Sequence, residues 1–167
     1  TKHDIMALTK AMAEAAGDAG WCIHLGATSN DIVDSAVALQ IKDSIVMQFD
    51  ALKQLMGTLC EIAERERDTV MLGRTHGQAA VPITFGLKVA VWVDEFARHL
   101  ERLGELSPRA TTGKFLGAVG TGAAQGEQAF ELQSLIMGEL GLGTPVATTQ
   151  VVGRDRYIEW VGWMANV

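Results

Sequence analysis

Hydrophobic positions recur at helical rather than strand spacing along most of the chain. Ile5, Leu8, Met12 and Ala15 fall three or four residues apart, which predicts a helix over residues 4–16 that Gly17 stops. Residues 20–27 lose that period and read as irregular or short extended chain. A proline-free stretch then runs from Ser29 or Asn30, either of which can cap a helix, to about Arg67. Asp31 lies in its first turn, where the helix dipole favours negative charge. A helix of that length exceeds the globular average, so the pattern predicts a kink near residues 42–44 or two abutting helices.

Further along, residues 70–80 show little hydrophobic period and read as a loop. Pro82 is placed to open the next helix, which runs to about Leu106 and ends at Ser107-Pro108. Residues 113–122 are glycine-rich and contain a short β-like piece, Lys114-Phe115-Leu116. Residues 127–140 form another predicted helix, closed by Gly141 and Gly143. Residues 144–152 read as extended and 155–167 as helical. No alternating strand pattern of useful length appears. The predicted fold is all-α, with helices near 25 residues spanning about 35–40 Å. Helices of that length pack as a bundle or across a subunit interface.

Composition narrows the partners. The 167 residues are 48% hydrophobic and 20% charged, a globular balance, and the net charge of -6 comes without a Lys/Arg run. Phosphate backbones need a basic face, so nucleic acid is not an expected partner. No apolar run reaches the length of a membrane span, and no membrane partner is expected. Cys22 and Cys60 have apolar sequence neighbours and are expected as reduced core residues, which points to the cytoplasm. His3 and His99 lie in ordinary helical sequence and are expected to face solvent. The chain opens on Thr1 and closes at Val167 within an amphipathic stretch, and reads as a piece of a longer protein.

Two polar segments carry the candidate chemistry. One is His24-Leu25-Gly26-Ala27-Thr28-Ser29-Asn30-Asp31; the other is Gly73-Arg74-Thr75-His76-Gly77-Gln78. Each joins a histidine to hydroxyls and amides at the edge of a long helix. Hydroxyls, amides and Arg bind carboxylates and phosphates, and His moves protons near neutral pH. Adjacent hydroxyl and amide groups at a helix N-terminus make an anion site, although the same residues also serve as a plain cap. Asp34, one turn after Asp31, reads as a second solvated dipole partner. Gly117 to Gly126 contains G-x-G-x-x-x-G, but a dinucleotide fold needs a buried strand–helix–strand unit around such a loop. A glycine-lined ligand loop stays open as an alternative. Arg154 and Arg156 flank the start of the last helix, where they can pair with Asp155 and Glu159 or supply cations to a phosphate or carboxylate.

Four segments together resemble the fumarase/aspartase superfamily in order and spacing. They are His24-x-Gly-Ala-Thr-Ser-Asn-Asp-x-x-Asp34, Gly73-Arg-Thr-His-Gly-Gln-x-x-x-Pro82-x-Thr84-Phe85-Gly86, Gly117-Ala-Val-Gly-Thr121, and Thr149-Gln150-Val-Val-x-Arg154-Asp155-Arg156. Gly77, where fumarases, aspartases and argininosuccinate lyases have Leu, makes the chain most similar to the adenylosuccinate lyase branch. His76, which carboxymuconate cycloisomerases usually lack, leaves those enzymes as the alternative, with a non-catalytic superfamily member as another.

The resemblance implies a long-helix bundle of which this is part, with residues 1–43 ending an N-terminal domain and 44–167 beginning the central helical domain. It implies release of fumarate by β-elimination from succinylated purine nucleotides, with no metal or redox cofactor. His76 matches the general acid and His24 a second active-site histidine. Thr28, Ser29, Asp31, Arg74, Thr75, Gln78, Gln150, Arg154 and Arg156 match substrate-binding positions. A homotetramer with composite active sites is implied. The family's serine-rich mobile loop, the source of its base, has no match here, so these 167 residues alone are expected to be inactive. Gly153 stands where many relatives have Pro or Gln.

Overall fold

The computed structural model describes residues 2–167. It is mostly helical, as the periodicity predicts. Helix α1 spans Asp4–Ala15, a 3₁₀ turn follows over Gly17–Cys22, and α2 runs Ser29–Arg65. Strands β1 (Val70–Thr75) and β2 (Gln78–Thr84) precede α3 (Phe85–Ala110), α4 (Ala129–Leu140) and α5 (Asp155–Asn166). None of the helices among the described residues is long and apolar enough to cross a membrane.

Helix α2 corrects the expectation of two abutting helices: its 37 residues form one element. The stretch contains no proline and a single glycine, Gly57, so nothing in it interrupts the hydrogen-bond ladder. Helix α3 also differs from expectation. It starts after Pro82, at Phe85, and passes through Pro108 to Ala110. The start is set by Thr84, whose Oγ1 accepts the Leu87 N–H at 3.1 Å. At the far end Pro108 lies within the last turn. There the last carbonyls find other donors: Thr112 Oγ1 bonds the carbonyls of Pro108 and Arg109, each at 3.3 Å.

The chain divides into two compact units. The first holds the chain up to Lys42 together with Pro108–Ile158. Its apolar core gathers Ala38, Met137 and Leu142, with Leu39, Phe115, Ile136 and Leu140 packed around them. Helix α4 ends at Gly141, whose φ of 61° is left-handed. Leu142 N–H then bonds the Met137 carbonyl at 2.8 Å, and Lys42 Nζ donates to the carbonyls of Leu140 and Gly141 at 3.2 and 3.0 Å. A glycine and a cation thus satisfy the helix end together. Residues 144–152 form bends rather than extended strand. Among the described residues Lys114–Leu116 pairs with no neighbouring strand, and Thr112 bridges Gly143.

The second unit holds Asp43–Ser107 and Glu159–Val167. Ile45, Leu52, Val89, Leu103, Leu106 and Trp163 are buried in it. Trp163 Nε1 donates to the His99 carbonyl at 3.0 Å, and Trp160 Nε1 to Gln48 Oε1 at 3.0 Å. His99 is 3% exposed, against the expectation that it faces solvent; its ring centre lies 6.2 Å from that of Phe96. Cys22 and Cys60 go the other way: both are free thiols, but exposed. Apolar sequence neighbours do not bury a residue that falls on the outer face of its own turn.

The segment read as a loop at residues 70–80 is an antiparallel hairpin, with Val70 opposite Thr84 and Thr75 opposite Gln78. It has a bulge between Leu72 and Arg74, where Gly73 lets the strands approach: a Cβ there would lie 2.4 Å from the Val81 carbonyl oxygen. Most of its side chains are exposed on both faces, so no apolar alternation marks it. The turn itself is the legible part. His76 and Gly77 both have positive φ, 51° and 73°, the geometry of a two-residue type I′ connection.

Candidate functional site

Within the first unit, the polar segment after α1 wraps onto the start of α2. His24 takes a left-handed φ of 66°, a conformation rare outside glycine and asparagine. Its Nε2 is buried and has no hydrogen-bond partner among the described residues. Gln125 crosses to donate from Nε2 to the Gly26 carbonyl at 2.9 Å, while its Oε1 is buried and unpartnered. Thr28 and Ser29 lie at the N-terminus of α2, half-buried. Ser29 Oγ lies 3.4 Å from His3 Nε2. His3 is exposed as expected, but its Nδ1 also caps α1 through the Met6 N–H at 3.5 Å. Its proximity to Ser29 was not readable from a lone histidine near the start of the chain.

Asp31 is where the structure says most. Its carboxylate is buried and accepts the N–H groups of Thr28, Leu116 and Gly117 at 2.8, 3.2 and 3.0 Å, and the ammonium of Lys114. Four donors from its own chain already surround it. Asp34 is likewise buried, contrary to its reading as a solvated dipole partner. It accepts the Val152 N–H at 2.7 Å and Arg154 Nη1 at 2.8 Å. Two carboxylates one turn apart on α2 therefore hold two different loops. Lys114, fully buried, was missed by sequence reading; no spacing rule marks a lysine that pairs with an aspartate 83 positions away.

The glycine-rich loop packs on its own chain. A Cβ at Gly120 would lie 2.4 Å from the Thr148 carbonyl oxygen, and one at Gly122 2.3 Å from the Ala129 Cβ. Those close approaches, and the absence of a strand–helix–strand unit among the described residues, remove the dinucleotide reading.

Arg156 Nη1 donates to the Arg109 carbonyl at 2.9 Å and to Thr112 Oγ1 at 3.2 Å. Arg154 lines an open concavity of about 390 Å³ with Thr148, Thr149 and Val151–Gly153, and its guanidinium carbon lies 5.3 Å from the Tyr157 ring centre. The hydrogen bond that Arg154 donates to Asp34 holds its guanidinium pKa above the ordinary value. Burial, and then the Asp34 charge, hold the Tyr157 phenol above its own. Gln150 lies exposed among these bends.

The second unit carries Arg74, Thr75, His76 and Gln78 at the hairpin tip, all exposed. His76 is the first residue of the two-residue turn. The candidate residues thus fall into two groups, one in each unit, with His24 in the first and His76 in the second.

Comparison with known proteins gives the family. The chain is 50% identical over 165 residues to an adenylosuccinate lyase of Pyrococcus abyssi, covering 99% of this chain and 37% of that protein. It superposes on the crystal structure of a fumarate lyase from Mesorhizobium sp. BNC1 with a TM-score of 0.92 and 41% identity, over 97% of this chain and 38% of that one. A 3-carboxy-cis,cis-muconate lactonizing enzyme from Pseudomonas putida gives a TM-score of 0.88 at 34% identity, over 96% and 37%. The chain therefore spans a little over a third of the length of these relatives. The sequence matches the family described as Lyase over residues 2–167, and the chain belongs to that family.

Proposed function

We propose that the protein to which this chain belongs releases fumarate by β-elimination from adenylosuccinate, giving AMP, and from succinylaminoimidazole carboxamide ribotide in purine biosynthesis. The observation that carries this reading is the hairpin tip. A type I′ turn holds an imidazole at its apex, flanked by Arg74, Thr75 and Gln78. In such an elimination the carbon–nitrogen bond breaks as a proton leaves the adjacent carbon, and the departing nitrogen takes up a proton. His76, exposed on this turn, supplies it as the general acid. Negative charge builds on the carboxylate beside the carbanion, where fixed donors lower the barrier. Thr28, Ser29, Arg74, Thr75 and Gln78 have the chemistry for that task. His24 assists with an unpartnered ring nitrogen. Gln150, Arg154 and Arg156 serve the substrate's other anionic groups. Asp31 contributes by fixing the Thr28–Ser29 turn rather than by touching substrate.

The base that takes the carbon-bound proton comes from outside these residues. The protein acts in the cytoplasm as a homotetramer with composite active sites, and residues 1–43 end one domain while 44–167 begin the helical core. The muconate cycloisomerases remain the second reading, on the likeness to the Pseudomonas putida enzyme; His76 in the second segment favours the lyase. Full-length protein incubated with adenylosuccinate should release fumarate and AMP in equal amounts. Absence of fumarate, with 3-carboxymuconate consumed instead, overturns the proposal.

A further inference from the structure

Arg154 and Asp34 form an unequal pair. The Asp34 side chain is 1% exposed and that of Arg154 is 47% exposed. Both carboxylate oxygens are used: Oδ1 accepts Arg154 Nη1 at 2.8 Å and Oδ2 accepts the Val152 N–H at 2.7 Å. The Tyr157 hydroxyl donates to the Asp34 carbonyl at 3.4 Å, and its ring lies against the guanidinium. One edge of the guanidinium is thus committed inward. A guanidinium carries five N–H donors in a fixed planar fork, so donors remain for the open concavity that Arg154 lines with Thr148 and Thr149. A lone surface arginine would lose much side-chain freedom on binding a ligand; one already held by a buried carboxylate loses little.

We propose that Asp34 is a positioning residue that holds Arg154 as an oxyanion-binding group of the concavity at residues 147–154, for a phosphate or carboxylate of the substrate. The inference rests on the reading of Arg154 as a substrate contact. It makes the first helical turns of α2 a scaffold whose second carboxylate sets ligand affinity from beneath the surface. Lysine cannot replace Arg154 here, because a single ammonium cannot present a planar fork to Asp34 and to a ligand at once.

The test uses full-length protein and calorimetric titration with AMP, fumarate and adenosine. Adenosine lacks the oxyanion and serves as the control; AMP and fumarate distinguish phosphate from carboxylate. Asp34→Asn, Asp34→Glu and Arg154→Lys should each weaken AMP or fumarate by about tenfold or more while leaving adenosine unchanged. Asp34→Glu keeps the buried charge and displaces it by one methylene, so it reports on position if Asp34→Asn fails to fold. In an Arg154→Gln background, Asp34→Glu should add no further loss. Wild-type oxyanion affinity in Asp34→Glu or Arg154→Lys overturns the proposal, as does an equal loss for adenosine or an additive double variant. Wild-type protein that turns over no adenylosuccinate overturns the functional reading instead; wild-type turnover with unaffected variants overturns the positioning alone.

Discussion

The Asp31 carboxylate and the Lys114 ammonium meet with neither side chain exposed to solvent. The pair ties the N-terminus of α2 to the entrance of the glycine-rich loop, since the same carboxylate also holds the Leu116 and Gly117 N–H groups. Removing one partner leaves a charge buried without its counter-ion. Lys114→Met should therefore destabilise the protein by about 3–5 kcal/mol. Asp31→Asn combined with Lys114→Met should cost less than the sum of the two single changes, because no unpaired charge is left. Denaturant midpoints of the three variants check this.

These two residues also show where sequence reading ends. Helical periodicity located α1, α2, α4 and α5 because their apolar residues repeat about every 3.6 positions; α4 buries Ala129, Gln133 and Met137 on one face, whereas Leu8 and Met12 of α1 stay exposed. The hairpin was invisible to it, since strands exposed on both faces carry no alternation. Ser107-Pro108 misplaced the end of α3, because a proline in a last turn removes only one ladder bond while Thr112 satisfies the carbonyls beyond. The polar residues of the site were legible as chemistry. Their roles were less so: Asp31 and Asp34 looked alike in sequence and like surface charges. Burial of both depends on Lys114 and Arg154, which lie 83 and 120 positions further on.

Trp163 should report on the second unit. It is buried, and its Nε1 bonds the His99 carbonyl at 3.0 Å. Trp163→Phe removes the hydrogen bond and part of the packing, and should cost about 1–3 kcal/mol. Trp163→Ala, which also leaves a cavity, should cost about 3–5 kcal/mol. Equal melting of Trp163→Phe and wild type would mean that the indole nitrogen contributes nothing there.

Alkaline pH should loosen the first unit through Tyr157. Burial, then the nearby Asp34 charge, keeps its phenol protonated beyond the ordinary value of about 10. A folded-state value raised above the unfolded one stabilises fully below the unfolded value. That contribution is lost as pH rises through the folded value. The phenolate absorbance missing from Tyr157→Phe should appear at higher pH in folded than in unfolded protein. In that window wild type should lose stability relative to the phenylalanine variant.

Gly77 separates turn geometry from side-chain contact. Its φ is 73°, and a Cβ added there would meet no atom within 4 Å. Gly77→Val should therefore act through backbone strain alone, about 1–2 kcal/mol in the left-handed region. The hairpin tip should shift, and turnover should fall with little change in helix content. Far-ultraviolet dichroism and a steady-state assay of full-length protein check both halves.

His76→Asn isolates proton transfer at the same tip. Asparagine tolerates the left-handed region better than other side chains, so the φ of 51° at this position should survive the change. The side chain is exposed, so little packing is lost with the ring. Stability should therefore stay within about 0.5 kcal/mol of wild type, the usual range for a surface position. Asparagine can still donate a hydrogen bond but cannot deliver a proton to a departing nitrogen. If His76 is the general acid, fumarate release from adenylosuccinate should fall by about 10²-fold or more, while substrate affinity changes little. Single-turnover measurements separate the two effects by reading the bond-breaking step directly. A substrate whose leaving group needs no proton should recover most of the lost rate in the variant, because its departure no longer depends on the imidazole. Turnover of adenylosuccinate within a few-fold of wild type, or a loss confined to affinity, would make His76 a binding residue and move the acid elsewhere.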